Sequence, residues 1–451
     1  MDNLLKSTAA RATRYLEQLD ARSVAPSAAA IAQLENFDEP LPNDSTDAEK
    51  VLEMLDTLGS PATVATAGKR FFGFVIGGAL PATLAANWLA GAWDQNAGLF
   101  IASPVAATLE EISLRWLVDV LRLPRGTGGA FVTGTTVANM TALAAARHVV
   151  LKKVGWDVEA NGLFGAPPVT VVVGAEAHPT LFRSLALLGL GRQRVVTVPV
   201  DSQGRMRADA FPKISAPAIV CLQAGNVNSG AFDPAKEIIP RARAAGAWVH
   251  VDGAFGLWAA VAPARAHLIE GFADADSWAT DAHKWLNVPY DSGVAFVREP
   301  ENLRAAMALS AAYLPHGERR EPSQFTPELS RRARGVEVWA ALRSLGRAGL
   351  AEMIERNCRQ AARFADGLRA AGYEILNEVA LNQVVVAFGD AEKTRRVIAG
   401  IQADGTCWAG ETVWQNRVAM RISVSSWATT DEDVEKSLNA MVRVAKKIQD
   451  D

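Results

Sequence analysis

Between residues 130 and 300, short apolar runs rich in β-branched residues alternate with stretches in which apolar positions recur every three or four residues. Runs that are apolar at every position suit strands covered on both faces, and their alternation with helices is the pattern of a mainly parallel sheet. Seven strands are predicted: AFVT (130–133), VTVVVG (169–174), RVVTVPV (194–200), AIVCLQ (218–223), WVHVD (248–252), SWAT (277–280) and GVAFV (293–297). Helical spacing fills 135–153 and 234–246, and these stretches end near a basic cluster and a glycine respectively.

Beyond residue 335 the texture changes. A long amphipathic helix over 347–371 leads to apolar runs at 373–379, 383–389 and 418–426, and a closing helix over 430–448 has Thr430 or Asp431 as its cap. The expected organisation is an N-terminal helical segment used for dimer packing (1–70), a large domain (71–330) and a smaller α+β domain (331–451). Residues 71–93 carry no charge over a span long enough to cross a bilayer, but Gly77, Gly78, Pro81 and Asn87 interrupt it and alanine outnumbers leucine. Burial at a subunit interface is therefore expected there, and not membrane insertion. Residues 311–332 mix prolines and charges without a period and read as a surface loop of functional length.

Composition narrows the class of partner. Of 451 residues, 49% are hydrophobic and 21% charged, with a formal net charge of −3. Such a chain folds and offers no basic stripe to nucleic acid, so a small molecule is the expected partner. Cys221, Cys358 and Cys407 are far apart and show no metal-ligand spacing, which fits a reducing, cytoplasmic setting without a bound metal.

In an open parallel sheet, ligands gather beyond the carboxyl ends of the strands. Four predicted strand ends carry residues of interest. Gly134-Thr135-Thr136 follows the first strand and opens a helix, where amides and hydroxyls suit an anion, although alone the triplet reads as a helix cap. His178 precedes a helix and serves either as its cap or as a flat surface for a ring to stack on. Asp252 ends its strand beside the small Gly253 and Ala254, and a carboxylate in so apolar a place needs a cationic partner. Lys284, between His283 and Trp285, becomes a nucleophile able to form a Schiff base if it is desolvated. An anion cradle, a stacking imidazole, a carboxylate and an amine are together the parts that pyridoxal phosphate requires.

Eight segments carry a resemblance: ASPVAATLEEISLRWL (102–117), VTGTTVANMTALAAAR (132–147), AHPTLFRSLALLGLG (177–191), VDSQGRM (200–206), NSGAFDP (228–234), HVDGAFG (250–256), DAHKW (281–285) and RISVSSWATTDEDV (421–434). In this order they resemble the group II pyridoxal-phosphate amino-acid decarboxylases, the family of the aromatic-L-amino-acid and glutamate decarboxylases. The resemblance implies the aspartate-aminotransferase fold (fold type I) and a homodimer with shared active sites. It also implies decarboxylation of an L-amino acid to the amine and carbon dioxide through an external aldimine and a quinonoid. Lys284 would hold the cofactor as an internal aldimine, and Asp252 would pair with the pyridinium nitrogen. His178 would stack on one face of the ring, with Ala254 against the other. Gly134, Thr135, Thr136, Asp281 and His283 would hold the phosphate, and Asn226 stands where relatives carry a threonine near the ring hydroxyl.

For the substrate, the resemblance implies that Phe72, Phe74 and Pro81 line a side-chain pocket into which Asn96 and Gly98 reach from a partner subunit, and that Arg421 orients the substrate or its carboxylate. Such walls suit an aromatic or medium-sized side chain. The match departs from the aromatic-acid enzymes in the mobile loop, where Pro322 falls near their catalytic tyrosine and only Tyr313 and Phe325 are close. That departure keeps open an aldehyde-forming oxidative decarboxylation, with His178 or Tyr313 as other proton sources for the amine-forming route. A carbon–carbon lyase on the same fold is the further alternative.

Overall fold

The seven predicted runs pair into one sheet in a computed structural model of the protein, which describes residues 2–308 and 319–450. The strands are β1 (Gly128–Val132), β2 (Thr170–Gly174), β3 (Val196–Val198), β4 (Ala218–Gln223), β5 (Trp248–Asp252), β6 (Ser277–Asp281) and β7 (Gly293–Val297). Across the sheet they run β1-β7-β6-β5-β4-β2-β3; β7 is antiparallel to both neighbours, and the other pairs are parallel. The expected mainly parallel α/β sheet is thus present. The strands β4 to β7 are buried at every position, as their unbroken apolar runs require. At the edge, β3 is shorter than its apolar run: two of its three residues face solvent, and Pro199, which has no amide hydrogen to donate, follows it.

A second sheet contains β8 (Glu374–Ile375), β9 (Gln383–Ala387), β10 (Gly410–Trp414) and β11 (Arg417–Ser423) in the order β10-β11-β9-β8. Of these, β10 escapes an apolar-run reading because GETVW alternates in exposure instead of being buried throughout. Its hairpin to β11 turns on Gln415 and Asn416, both left-handed at φ 47° and 63°, and such a two-residue turn is the local signal that marks the pair.

Contacts divide the chain into two units. One holds residues 1–78, 360–376 and 384–451, and the other holds 79–359 and 377–383. The first 78 residues therefore group with the C-terminal residues. The helix Gly335–Ala370, broken at Gly346 (φ 59°), belongs as far as Arg359 to the unit of the large sheet, beyond the boundary expected at 330. Within the first unit Arg70 pairs with Asp433 at 3.2 Å, and Thr430 and Asp433 cap the final helix reciprocally. No helix among the described residues is long and apolar enough to cross a membrane.

In the second unit a buried carboxylate fixes the start of the sheet. Glu110 accepts from Arg331 at 2.6 Å and from Arg320 at 3.1 Å, and the two guanidinium groups reach on to the carbonyls of Phe131 and Gly129 on β1. The Arg331 side chain is wholly buried. Glu110→Ala leaves that charge without its partner, and urea denaturation should register a loss of roughly 3–5 kcal/mol; an unchanged midpoint would mean that water replaces the carboxylate at no cost.

Candidate active site

The carboxyl ends of β1, β5 and β6 bring several sequence-selected groups together. The helix Thr135–Lys152 starts directly after β1 with Gly134 as its cap, and its first internal bond runs from the Ala138 amide to the Gly134 carbonyl at 2.9 Å. The amides before Ala138 therefore have no partner within the helix, and their dipoles favour an anion. Asp281, the last residue of β6, takes one of them: its Oδ1 accepts from the Thr135 amide at 2.6 Å. Its other oxygen lies 3.0 Å from Lys284 Nζ. Burial raises the Asp281 pKa, but Lys284 and His283 outweigh that and hold the carboxyl below its ordinary range.

Asp281 reaches Thr135 across β7. In the sheet Gly293 stands between Asp281 and Val132, and a Cβ on Gly293 would lie 2.5 Å from the Gly134 Cα. Only a residue without a side chain lets the turn after β1 close over the strand. His283 completes the wall. Its Nδ1 accepts from the Ser292 amide at 3.1 Å, so Nε2 carries the hydrogen, and Tyr290 stacks on the ring with centroids 4.3 Å apart. Burial lowers the His283 pKa despite the nearby Asp281, and the enclosure of the Tyr290 ring against His283, with the Asp281 charge, raises the phenol although the residue as a whole is 57% exposed.

Two hydroxyls here, Thr135 Oγ1 and Ser292 Oγ, are buried and have no hydrogen-bond partner. A buried hydroxyl left unpaired costs about 1–3 kcal/mol. An orphaned hydroxyl, open helix-start amides and an imidazole N–H fit a phosphate, and the adjacent amine fits an aldehyde; pyridoxal phosphate carries both groups.

One strand away, Asp252 ends β5 and is buried. Its Oδ2 accepts from Asn139 at 2.9 Å and its Oδ1 from the Ala254 amide at 3.2 Å. Ala254 also links the two strand ends, because its carbonyl accepts from the Asp281 amide at 2.9 Å. His178 caps the helix Pro179–Leu187 and lines the same small cavity as Asp252, with Gly174, Glu176, Gly204 and Gln223. A larger cavity, about 570 Å³, lies at the start of β1 beside Arg115, Pro300 and Arg320. Of the sequence-selected residues it touches only Phe325, so its size does not make it the site.

Other candidates are placed differently. The Asn226 side-chain oxygen is engaged within its own loop, accepting from the amides of Asn228 (2.8 Å) and Ser229 (3.2 Å), while Nδ2 donates to Glu176 beyond β2 at 3.0 Å. The carbonyl of Thr136 accepts from Ser184. Phe72 is buried in T-shaped contact with Phe364, whereas Phe74 is 64% exposed beside Trp408. Pro81 opens the helix Pro81–Trp93. Asn96 Oδ1 accepts from the amides of Gly98 and Arg331, both at 3.1 Å, and the Gly98 backbone lies against the Leu329 carbonyl too closely for a side chain. Phe325 is buried under the Arg320 guanidinium, Arg421 lies on β11 in the first unit, and Tyr313 falls outside the described residues. Sequence reasoning did not single out Asn139, Glu176 or Tyr290. Asn139 sits one turn into a helix that otherwise reads as alanine-rich core, and a polar residue at such a buried position is the signal that could have found it.

A family model described as the pyridoxal-dependent decarboxylase conserved domain matches residues 32–388. The aromatic-L-amino-acid decarboxylase of Drosophila lebanonensis is 30% identical over 387 residues, covering 78% of this chain and 93% of the relative. The L-2,4-diaminobutyrate decarboxylase of Rhizobium meliloti is also 30% identical, covering 82% and 76%. The 4-hydroxyphenylacetaldehyde synthase of Rhodiola rosea is 27% identical, covering 77% and 74%. The crystal structure of Oryza sativa TDC with PLP and tryptamine superposes with a TM-score of 0.92 at 22% identity, covering 99% of this chain and 97% of that one. The fold expected from the sequence is thereby borne out.

The Asp281 ion pair makes an acid-side prediction for the cofactor-free protein. Its folded pKa lies below the ordinary 3.8, so its stabilisation is complete above that value and fades as pH falls through the lower, folded one. Asp281→Asn keeps an acceptor for Thr135 and removes the charge. Urea melts should find the variant less stable than wild type at neutral pH, with the gap closing only below pH 3.8; a gap that closes near pH 6 would contradict the direction.

Proposed function

Because the chain belongs to the family of pyridoxal-dependent decarboxylases, we propose that it removes the carboxyl group of an L-amino acid with an aromatic or medium-sized side chain, releasing the amine and carbon dioxide. The observation that carries this reading is the convergence at Asp281 of an anion cradle with an orphaned hydroxyl and the amine of Lys284, one strand from the buried Asp252. Pyridoxal phosphate, when bound, supplies an electron sink for the pair released as the bond from Cα to the carboxylate breaks. Lys284 would hold its aldehyde carbon, and Asp252 would keep a proton on its ring nitrogen. The Thr135 hydroxyl, the amides that open the helix and His283 Nε2–H would hold its phosphate. His178 would lie on one face of the ring and Ala254 on the other, and Arg421 would orient the substrate.

The relative from Drosophila supports an aromatic side chain by its name, and the relative at the same identity from Rhizobium supports a smaller one. A second reading, aldehyde formation, draws on the Rhodiola relative and on Pro322, which opens a buried turn near the position where a tyrosine was expected. It consumes one dioxygen and one water per substrate and releases aldehyde, carbon dioxide, ammonia and hydrogen peroxide. Burial of all three free cysteines, which raises their pKa values, supports a reducing, cytoplasmic setting.

Protein loaded with pyridoxal phosphate should show a visible absorption band that Lys284→Ala abolishes. Given tryptophan, tyrosine, phenylalanine and 2,4-diaminobutyrate, it should release amine and carbon dioxide in equal amounts, fastest with an aromatic substrate. Aldehyde and peroxide in place of amine would select the second reading, and no carbon dioxide from any substrate would defeat both.

The same reading includes a homodimer. Trp88, Leu89 and Trp93 on one helix, and Ile101 soon after it, are between 41% and 77% exposed, and apolar patches of this kind mark interfaces. Light scattering should return twice the chain mass at micromolar concentration; a monomer mass would contradict the assignment.

A further inference from the structure

Asp252 does not stand alone at the end of β5. Behind it the buried interior holds a run of polar side chains that the proposed chemistry does not use. Asn139 contacts Asp252 Oδ2 at 2.9 Å through its nitrogen and His250 Nε2 at 2.9 Å through its oxygen. His250 Nδ1 lies 2.8 Å from Ser277 Oγ, and Ser277 Oγ lies 2.9 Å from Trp248 Nε1. Asn139, His250 and Ser277 have no solvent exposure, and Trp248 and Asp252 have 5% and 6%.

The direction of every bond in this run is determined. An indole N–H only donates and an ionised carboxylate only accepts, so the two ends fix the middle. Because Asp252 accepts, Asn139 turns its NH₂ to it and its carbonyl oxygen to His250, and Nε2 of His250 must carry a hydrogen. Burial pushes the His250 pKa down to about 3, so the ring is neutral and Nδ1 presents a lone pair. Ser277 then donates to Nδ1 and accepts from Trp248. All four bonds point toward Asp252, and none of these groups can reverse without stranding a buried donor or acceptor.

We propose that Asn139 and His250 are positioning residues for Asp252: they form a one-way hydrogen-bond chain that holds the carboxylate in the orientation its partner on the cofactor needs. The proposal rests on the proposed function, in which Asp252 faces the ring nitrogen. The structural cost of the chain is what makes the role specific. Four polar side chains buried in a sheet interior could be replaced by apolar ones of similar shape with little loss of stability, so their presence needs a reason beyond folding.

Four variants test it. His250→Phe and Asn139→Leu remove the donors while filling the space. His250→Gln keeps a donor at the Nε2 position, and His250→Asn places its amide at the Nδ1 position and loses the link to Asn139. With pyridoxal phosphate as the probe, both should weaken cofactor binding and lower kcat: Asn139→Leu by roughly 10-fold or more, as for a lost bond to a charged group, and His250→Phe, one bond further from the carboxylate, by roughly 3-fold or more. KM should change far less, and the visible band of the bound cofactor should shift or weaken. His250→Gln should recover band and kcat, and His250→Asn should not. If His250→Phe fails to fold, the Gln and Asn pair decides, and equal behaviour of those two overturns the proposal. A band and a kcat per bound cofactor that match wild type in all four, with only thermal stability reduced, would make the chain merely structural and overturn it too. Lys284→Ala serves as the separate control: if it keeps the visible band, the proposed function itself fails, whatever the four variants do.

Discussion

One buried carboxylate holds the candidate site together. Asp281 accepts from the Thr135 amide at 2.6 Å and lies 3.0 Å from the Lys284 amine, so the turn after β1 and the turn after β6 share one anchor. A buried charge that loses its partner costs roughly 3–5 kcal/mol, several times what an exposed ion pair contributes. The anion cradle and the lysine are therefore not independent features. Moving one unpairs the other, and the absent side chain of Gly293 is what allows both to meet the same carboxylate.

Rigid packing keeps that anchor in place. The Asp281 amide donates to the Ala254 carbonyl, and its own carbonyl accepts from the buried Trp258 indole at 3.1 Å. Trp285, next to Lys284, is fully buried and donates to Asn357 at 2.9 Å. Each tryptophan excludes water from one side of the turn while its N–H is satisfied, so large apolar area is buried without an unpaired donor. Ala254 in turn follows Asp252, which places the second carboxylate at a fixed offset from the first. The spacing between the two strand ends is thus set by backbone bonds and indole packing, and no flexible side chain intervenes.

Much of this was legible in the chain. Strands buried on both faces announce themselves as unbroken apolar runs, so β4, β5 and β7 matched their predicted limits, and the residues selected after β1, β2, β5 and β6 do lie at the carboxyl ends of those strands. The rest depends on distance along the chain. The link from Thr135 to Asp281 spans 146 residues and that from Asn139 to Asp252 spans 113, and no local pattern carries either. Lys284 was expected to be a desolvated amine, and its counter-ion Asp281, only three residues earlier, was singled out through the resemblance for the phosphate and not for the amine. The pocket role of Phe72 was implied by the resemblance alone, and what its own residue type makes legible is the core contact with Phe364. The alternation of β10 hid it from a criterion built on continuous runs.

Under the proposed function, the outcome of the reaction depends on how a proton reaches Cα after carbon dioxide leaves. Pro322 has no proton to give, and it opens a buried 3₁₀ turn, Pro322–Phe325, that is tied down on two sides. The Ser323 amide donates to the Gly98 carbonyl at 2.9 Å, and Arg320 lies over the Phe325 ring while bonding Glu110 and Gly129. This turn is built as a fixed wall and carries no acid. Other groups that can carry a proton stand among the described residues of the site: His178 at the cavity it shares with Asp252, His283 through its Nε2–H, the Lys284 amine, and Tyr290 on the His283 ring. The phenol of Tyr290, raised to about 12, stays protonated across the neutral range. A proline at position 322 removes a donor from that turn but leaves these other groups in place, so it does not by itself commit the chain to the aldehyde.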